Sequence, residues 1–200
     1  MKRRGSSSLL AVLLMAGCAV ADAEQAPPAD GPPPFAHCAE LTAPPAQAAG
    51  AANADDAVTS ELPDVELPCF VDGQPVRVDQ IRGPAVINLW ASYCEPCRVE
   101  LPAFQRLAER LGDQLHVIGV DTHDGREAAR SIGEDFGLTF PNLYDRDAAM
   151  QSKLGRGAFL PMTLFVDGHG RIRHIDTSGA LDDATLATLV ARHLDIEGDP

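Results

Sequence analysis

Basic residues are scarce in this 200-residue chain: 16 Lys and Arg stand against 29 Asp and Glu, for a formal net charge of −13. A surface of that sign repels polyanions, and the sequence keeps no Lys/Arg cluster in its body to hold nucleic acid or anionic lipid head groups. No apolar run reaches the roughly 20 residues that a membrane-spanning helix requires. There is no glycine-rich phosphate loop and no internal repeat. Of five cysteines, only Cys94 and Cys97 have the Cys-x-x-Cys spacing. A zinc site would need a second such pair or a His-x-His, and none follows. A haem attachment would need His after the second cysteine, where Arg98 stands. No metal and no cofactor is expected.

What basic charge there is begins the chain. Lys2, Arg3 and Arg4 precede the short apolar run Leu9–Ala16, the pattern of a secretory signal. The run ends in Leu14-Met-Ala-Gly-Cys18, which resembles a bacterial lipobox with Met15 in place of the commoner Leu. Cleavage before Cys18 leaves that thiol to carry a lipid; an ordinary signal followed by a chance cysteine is the competing reading. Without residues 1–17 the net charge is −16, from 13 basic and 29 acidic residues. Residues 18–60 are rich in Ala and Pro without hydrophobic periodicity and read as a tether, so membrane attachment rests on the Cys18 lipid. Residues 61–197 read as one domain.

The rest of the chain is organised around residues 85–102. Ala85 to Trp90 is apolar with almost no alternation, as in a strand covered on both faces. Cys94 and Cys97 follow, and then Leu101, Phe104, Leu107, Ala108 and Leu111 recur at helical spacing. A Cys-x-x-Cys at a strand-to-helix junction puts the first sulfur at the helix N-terminus, where free N–H groups and the dipole favour a thiolate. Cys94 is therefore the expected attacking sulfur and Cys97 the resolving one. Glu95 opposes the dipole and disfavours the thiolate, while Pro96 stiffens the turn. With no basic residue between the cysteines, this predicts a reductant rather than a strong oxidant. Cys38 and Cys69 remain. Outside the cytoplasm they are most economically a structural disulfide, worth roughly 3–4 kcal/mol, with a second redox relay as the alternative.

The flanking pattern is a β-hairpin (Asp64–Leu67, turn at Asp72-Gly73, Val76–Val78), then strand and helix in alternation. Leu115–Val120 reads as a buried strand and 124–136 as an amphipathic helix. Phe140–Tyr144 is extended, and 147–154 is a further helix. Pro102 is expected to kink the first helix. Pro161 opens the strand running to Val166; most prolines in such places are trans, but the strand and hairpin that follow favour cis. Asp182 caps a last helix with Leu186, Leu189, Val190 and Leu194 on one face.

Trp90-Ala-Ser-Tyr-Cys-Glu-Pro-Cys97, with Glu100-Leu-Pro102 after it, resembles the TlpA/ResA type of thioredoxin-like proteins over about Leu62 to Leu194. The resemblance implies an α/β thioredoxin-like fold. Helices flank a central mixed sheet, with an N-terminal β-hairpin extension and a strand–helix insertion between the Cys-x-x-Cys and the cis-proline. It implies a membrane-anchored, extracytoplasmic thiol–disulfide oxidoreductase. Pro161 would be the cis-proline facing the disulfide, and the Leu160 backbone would be free to pair with a substrate chain. Trp90 and Tyr93 would join these two at the substrate surface. Glu100 would transfer a proton; read from the residue alone, it is as readily a solvated helix glutamate. Two positions depart from the family: Tyr93 stands where Trp is usual, and Asn88 occupies the place of the buried carboxylate of thioredoxin. Also implied are protein disulfide substrates, for example in cytochrome c maturation or copper-site assembly, electrons from a membrane thiol carrier, and a monomer. A thiol peroxidase shares the fold, but the Pro-x-x-x-Thr-x-x-Cys setting is absent before Cys94. A copper chaperone on this scaffold would need a histidine near the cysteines, and neither His169 nor His174 has an evident path there.

Overall fold

The computed structural model describes residues 34–48 and 60–197. Its strands are β1 (Ser60–Glu61), β2 (Glu66–Pro68), β3 (Pro75–Arg77), β4 (Ala85–Trp90), β5 (His116–Thr122), β6 (Asn142–Asp145), β7 (Met162–Val166) and β8 (Arg171–Asp176). The helices are α1 (Glu95–Leu111), α2 (Arg126–Asp135), α3 (Ala149–Lys153) and α4 (Asp183–Leu194). A six-stranded sheet runs in the order β1-β8-β7-β4-β5-β6, and β2 pairs with β3 as a separate hairpin. β4, β5 and β6 are parallel, whereas β7, β8 and β1 join antiparallel. This is the mixed, helix-flanked sheet of the thioredoxin-like fold.

The centre of the sheet is β4, all six of its residues buried. Its side chains divide between two apolar layers. Val86 and Trp90 face Phe104, Leu107, Phe165 and Val190, while Ala85, Ile87 and Leu89 face Ile118, Val120, Leu164 and the hairpin residues Leu67 and Val76. Each fully buried aliphatic side chain contributes roughly 1.5–3 kcal/mol, so a strand covered on both faces is an anchor for whatever follows it. The residue that follows is the turn to Cys94.

Most element boundaries differ by one or two residues from the pattern read in sequence. β5 runs two residues beyond Val120 and takes Asp121 and Thr122 into the sheet. As read, α1 is one 17-residue helix with Pro102 inside it. Residues 34–48, read by composition as part of a tether that a Cys38 disulfide would pin, are packed onto the domain. Phe35, Cys38 and Leu41 are buried. The Phe35 ring meets Phe70 edge-on with centroids 4.8 Å apart, and the backbone is tied by Phe35 N–H to Leu138 O and Arg82 N–H to Leu41 O. Apolar residues at 35, 38 and 41 suffice to seat it, although the surrounding Ala and Pro hide them. The Cys38–Cys69 disulfide, with S–S 2.06 Å, joins this strap to the end of the hairpin. The signal at 1–17, Cys18 and the remaining tether residues lie outside the described residues. Among the described residues no helix is long and apolar enough to cross a membrane.

Candidate active site

The buried strand and the amphipathic helix fix the two sulfurs from opposite sides. Cys94 is the N-cap of α1, and its Sγ accepts a hydrogen bond from the Cys97 backbone N–H at 3.2 Å. The cysteines are joined, with Cα atoms 5.3 Å apart. Cys97 is fully buried while Cys94 keeps 8% of its surface, so Cys94 is the more accessible of the two. Pro96 occupies the first turn, where a missing N–H costs nothing. Glu95, also in that turn, is exposed.

Glu100 is not a solvated glutamate. It is fully buried on the same helix as Cys97, one turn on. Oε1 accepts from Asn88 Nδ2 at 2.6 Å and Oε2 from the Leu181 N–H at 3.0 Å. Burial pushes the carboxyl up from 4.5 to about 7, against the pull of those two donors, with Asp176 adding a small push upward. The carboxyl group missing from strand position 88 thus arrives from the helix, and Asn88 holds it. The Asn88 side chain also reaches Thr163 Oγ1 at 3.4 Å from the neighbouring strand, while its Oδ1 has no donor. An amide suits either state of Glu100: its NH2 donates to the carboxylate and, turned over, its oxygen accepts from the acid.

Trp90, expected at the substrate surface, is fully buried. Its indole N–H donates to Asn142 Oδ1 at 2.9 Å. That amide sits over Gly119, where a Cβ would fall 1.9 Å from Oδ1. Trp90 therefore shapes the site from below. The exposed aromatic is Tyr93, 64% accessible. Beside it opens a cavity of about 550 Å³ bounded by His123, Ala148, Gln151, Gly157 and Leu160. The Leu160–Pro161 peptide is cis, as is Gly83–Pro84, where the sequence pattern shows only a chain break. Leu160 is half-buried against both apolar layers, and Phe159 beside it is exposed.

Residues not singled out in the sequence complete the rim. The Asp124 carboxylate accepts from the Ser92 N–H and, at 2.9 Å, from Ser92 Oγ, so it braces the turn that carries Tyr93 and Cys94. Tyr144 donates its hydroxyl to the Asp124 carbonyl at 3.0 Å. Asp121 is fully buried, and neither of its carboxylate oxygens has a donor. His37, next to Cys38, pairs with Asp72 at 2.9 Å. Among the described residues no group of three or more His, Cys, Asp or Glu side chains is arranged to hold a metal ion.

A family model described as AhpC/TSA matches residues 58–175. The chain belongs to the AhpC/TSA family. Similar curated members include the thiol-disulfide oxidoreductase ResA of Geobacillus thermodenitrificans, 32% identical over 123 residues, which are 60% of this chain and 70% of that protein. The thiol:disulfide interchange protein DsbE of Pseudomonas fluorescens is 32% identical over 115 residues, 56% of this chain and 62% of that protein. Solved structures share the fold. A secreted Mycobacterium tuberculosis disulfide oxidoreductase homologous to DsbE of E. coli aligns with a TM-score of 0.58 at 21% identity, covering 64% of this chain and 96% of that one. An exposed lipoprotein thioredoxin of Streptococcus pneumoniae aligns with 0.52 at 23% identity, covering 65% and 99%. AhpC/TSA membership, the thioredoxin-like fold and a closed Cys-x-x-Cys at a helix start together make the chain a thiol–disulfide oxidoreductase.

Proposed function

We propose that the domain reduces protein disulfides outside the cytoplasm, with Cys94 attacking and Cys97 resolving. The observation that carries this is the asymmetry of the pair: Cys94 caps the helix N-terminus and keeps a little of its surface in solvent, while Cys97 is fully buried one turn before the buried Glu100. In the reduced protein the Cys94 thiolate attacks one sulfur of a client disulfide, breaks that S–S bond and forms a mixed disulfide. Cys97 then gives its proton to the Glu100 carboxylate and attacks the Cys94 sulfur. The Cys94–Cys97 bond closes and the client's second thiolate leaves to take a proton from water. Two electrons pass to the client, and a dithiol donor restores the pair. Tyr93 and Leu160, which line one cavity, supply with cis-Pro161 a surface on which an extended client strand can lie. Glu95 and Pro96 tune the first turn, the glutamate by disfavouring the Cys94 thiolate and the proline by stiffening it.

The donor is a membrane thiol carrier, and clients of the cytochrome c maturation or copper-site type fit a reductant in this place. The chain acts as a monomer held at the outer face of the membrane by a lipid on Cys18. The lipobox-like residues 14–18 support the anchor, and one protein of the same fold, from S. pneumoniae, is described as an exposed lipoprotein thioredoxin. A Cys97→Ala protein tests the assignment of roles. It should accumulate a stable mixed disulfide through Cys94 when offered a disulfide-bonded peptide, and Cys94→Ala should accumulate none. Trapping through Cys97 in the Cys94→Ala protein would reverse the roles.

A further inference from the structure

Asp121 is a fully buried carboxyl group that the exchange reaction just described does not use. It lies in β5 in register with Trp90 of β4 on one side and Tyr144 of β6 on the other. That is the end of the sheet from which the chain turns to Cys94. Neither oxygen meets a donor. A buried carboxylate left in that state costs several kcal/mol, so the group is held neutral or finds an acceptor for a proton. The acceptor is at hand. Asp124, three residues on and just past the end of β5, raises Asp121 through both its charge and a side-chain contact, and two carboxylates cannot satisfy one another because both only accept. One proton between them turns the repulsion into an O–H···O bond.

We propose that Asp121 and Asp124 form an acid–carboxylate pair sharing one proton beneath the Ser92–Cys94 turn, with Asp121 acting as a positioning residue that holds the pair to a single negative charge beside that turn until the proton is lost. The charged and titratable groups around Asp121 agree. Burial first and Asp124 next, with a push from Asp145 on β6 and against the pull of Arg126 on α2, together lift its carboxyl to about 8. The Arg126 guanidinium is drawn away from the pair, stacked over the rings of Phe70 and Tyr144 at 4.7 and 4.5 Å and bonded to the Phe70 carbonyl. The turn feels the pair directly: the Tyr93 phenol, adjacent to Cys94, is raised by burial and then by Asp124 and Asp121. Asp124 also carries the two Ser92 bonds, so its charge state and the placement of the turn are linked. While the pair keeps its proton it carries one negative charge, spread toward Ser92. Once the proton leaves it carries two, and the second disfavours a thiolate at Cys94.

This inference rests on Cys94 being the attacking sulfur, and its test separates the two. In the full-length oxidised protein, infrared spectra at neutral pH should show a protonated-carboxyl band that Asp121→Asn removes; Glu100→Gln removes a different one. With the protein reduced, alkylation of Cys94 by iodoacetamide should run at the same rate in wild type and Asp121→Asn below about pH 7, where Asp121 is neutral in the wild type. At higher pH the variant should be the faster, its apparent Cys94 pKa lower by about one unit, the scale on which a nearby like charge acts. A carboxyl band indifferent to Asp121→Asn, or superimposable alkylation profiles, would overturn the proposal. If Asp121→Asn fails to fold, the loss of a carboxyl band on raising wild-type pH through about 8, insensitive to Glu100→Gln, decides it instead. Alkylation at Cys97 in place of Cys94 would contradict the functional assignment, while the band would still report on Asp121.

Discussion

Glu100 shows how one side chain joins stability to chemistry. Its folded pKa of about 7 lies above the ordinary 4.5, so between those values the folded state holds a proton that the unfolded state has lost. Stability contributed by that proton is complete below about pH 4.5 and is lost as pH rises through 7. Glu100→Gln removes the penalty, so above pH 7 the variant should be the more stable, by up to about 3 kcal/mol from 1.36 kcal/mol per pKa unit. Below pH 4.5 the two should coincide. Denaturant melts across pH check this. The same variant should slow closure of the Cys94–Cys97 bond at pH 8, because Cys97 then has no buried base. The residue was within reach of the sequence. Cys97, Glu100, Leu101, Phe104, Leu107 and Leu111 share the buried face of α1, so the 3.6-residue period that places Leu101 and Phe104 in the core places Glu100 there also. Asp121 was harder to see, since an acidic residue after Leu115–Val120 reads as the end of a strand rather than its continuation.

At the scale of elements, the site is held by contacts between neighbouring strands. Gly119 of β5 gives Asn142 of β6 room to reach the indole of Trp90 on β4. Gly119→Ala should therefore break the Trp90–Asn142 bond and destabilise the fold by about 1–3 kcal/mol, the usual cost of overpacking a core. The readouts are thermal unfolding and Trp fluorescence, which reports one residue because the chain has a single Trp. Strand and helix positions were legible because the unbroken apolar run of β4 and the 3.6-residue apolar period of α1 and α4 are strong. The role of Trp90 was not, because its strand reads alike whether the last residue faces the substrate or the sheet's own neighbours. The packed segment 34–48 was hidden by composition: three spaced apolar residues among Ala and Pro give no periodic signal, yet each finds a pocket.

The whole molecule depends on that segment being pinned. The Cys38–Cys69 disulfide closes a separation of 31 residues, and on the chain-entropy model such a loop is worth roughly 3–4 kcal/mol. The Cys38→Ser, Cys69→Ser double variant should lose about that much stability while the Cys94–Cys97 pair still cycles. Loss of thiol–disulfide exchange without loss of fold would instead give the second pair a redox role. The acidic surface, the strap and the sheet all serve one redox couple, whose direction is the centre of the account. The measurement that tests it is the reduction potential of Cys94–Cys97 in the full chain, equilibrated against dithiothreitol. Glu95 at the helix start, with no basic residue between the cysteines, predicts a value near or below about −270 mV, the thioredoxin range. A value near −120 mV, that of a strong oxidant, would contradict the assignment as a reductant.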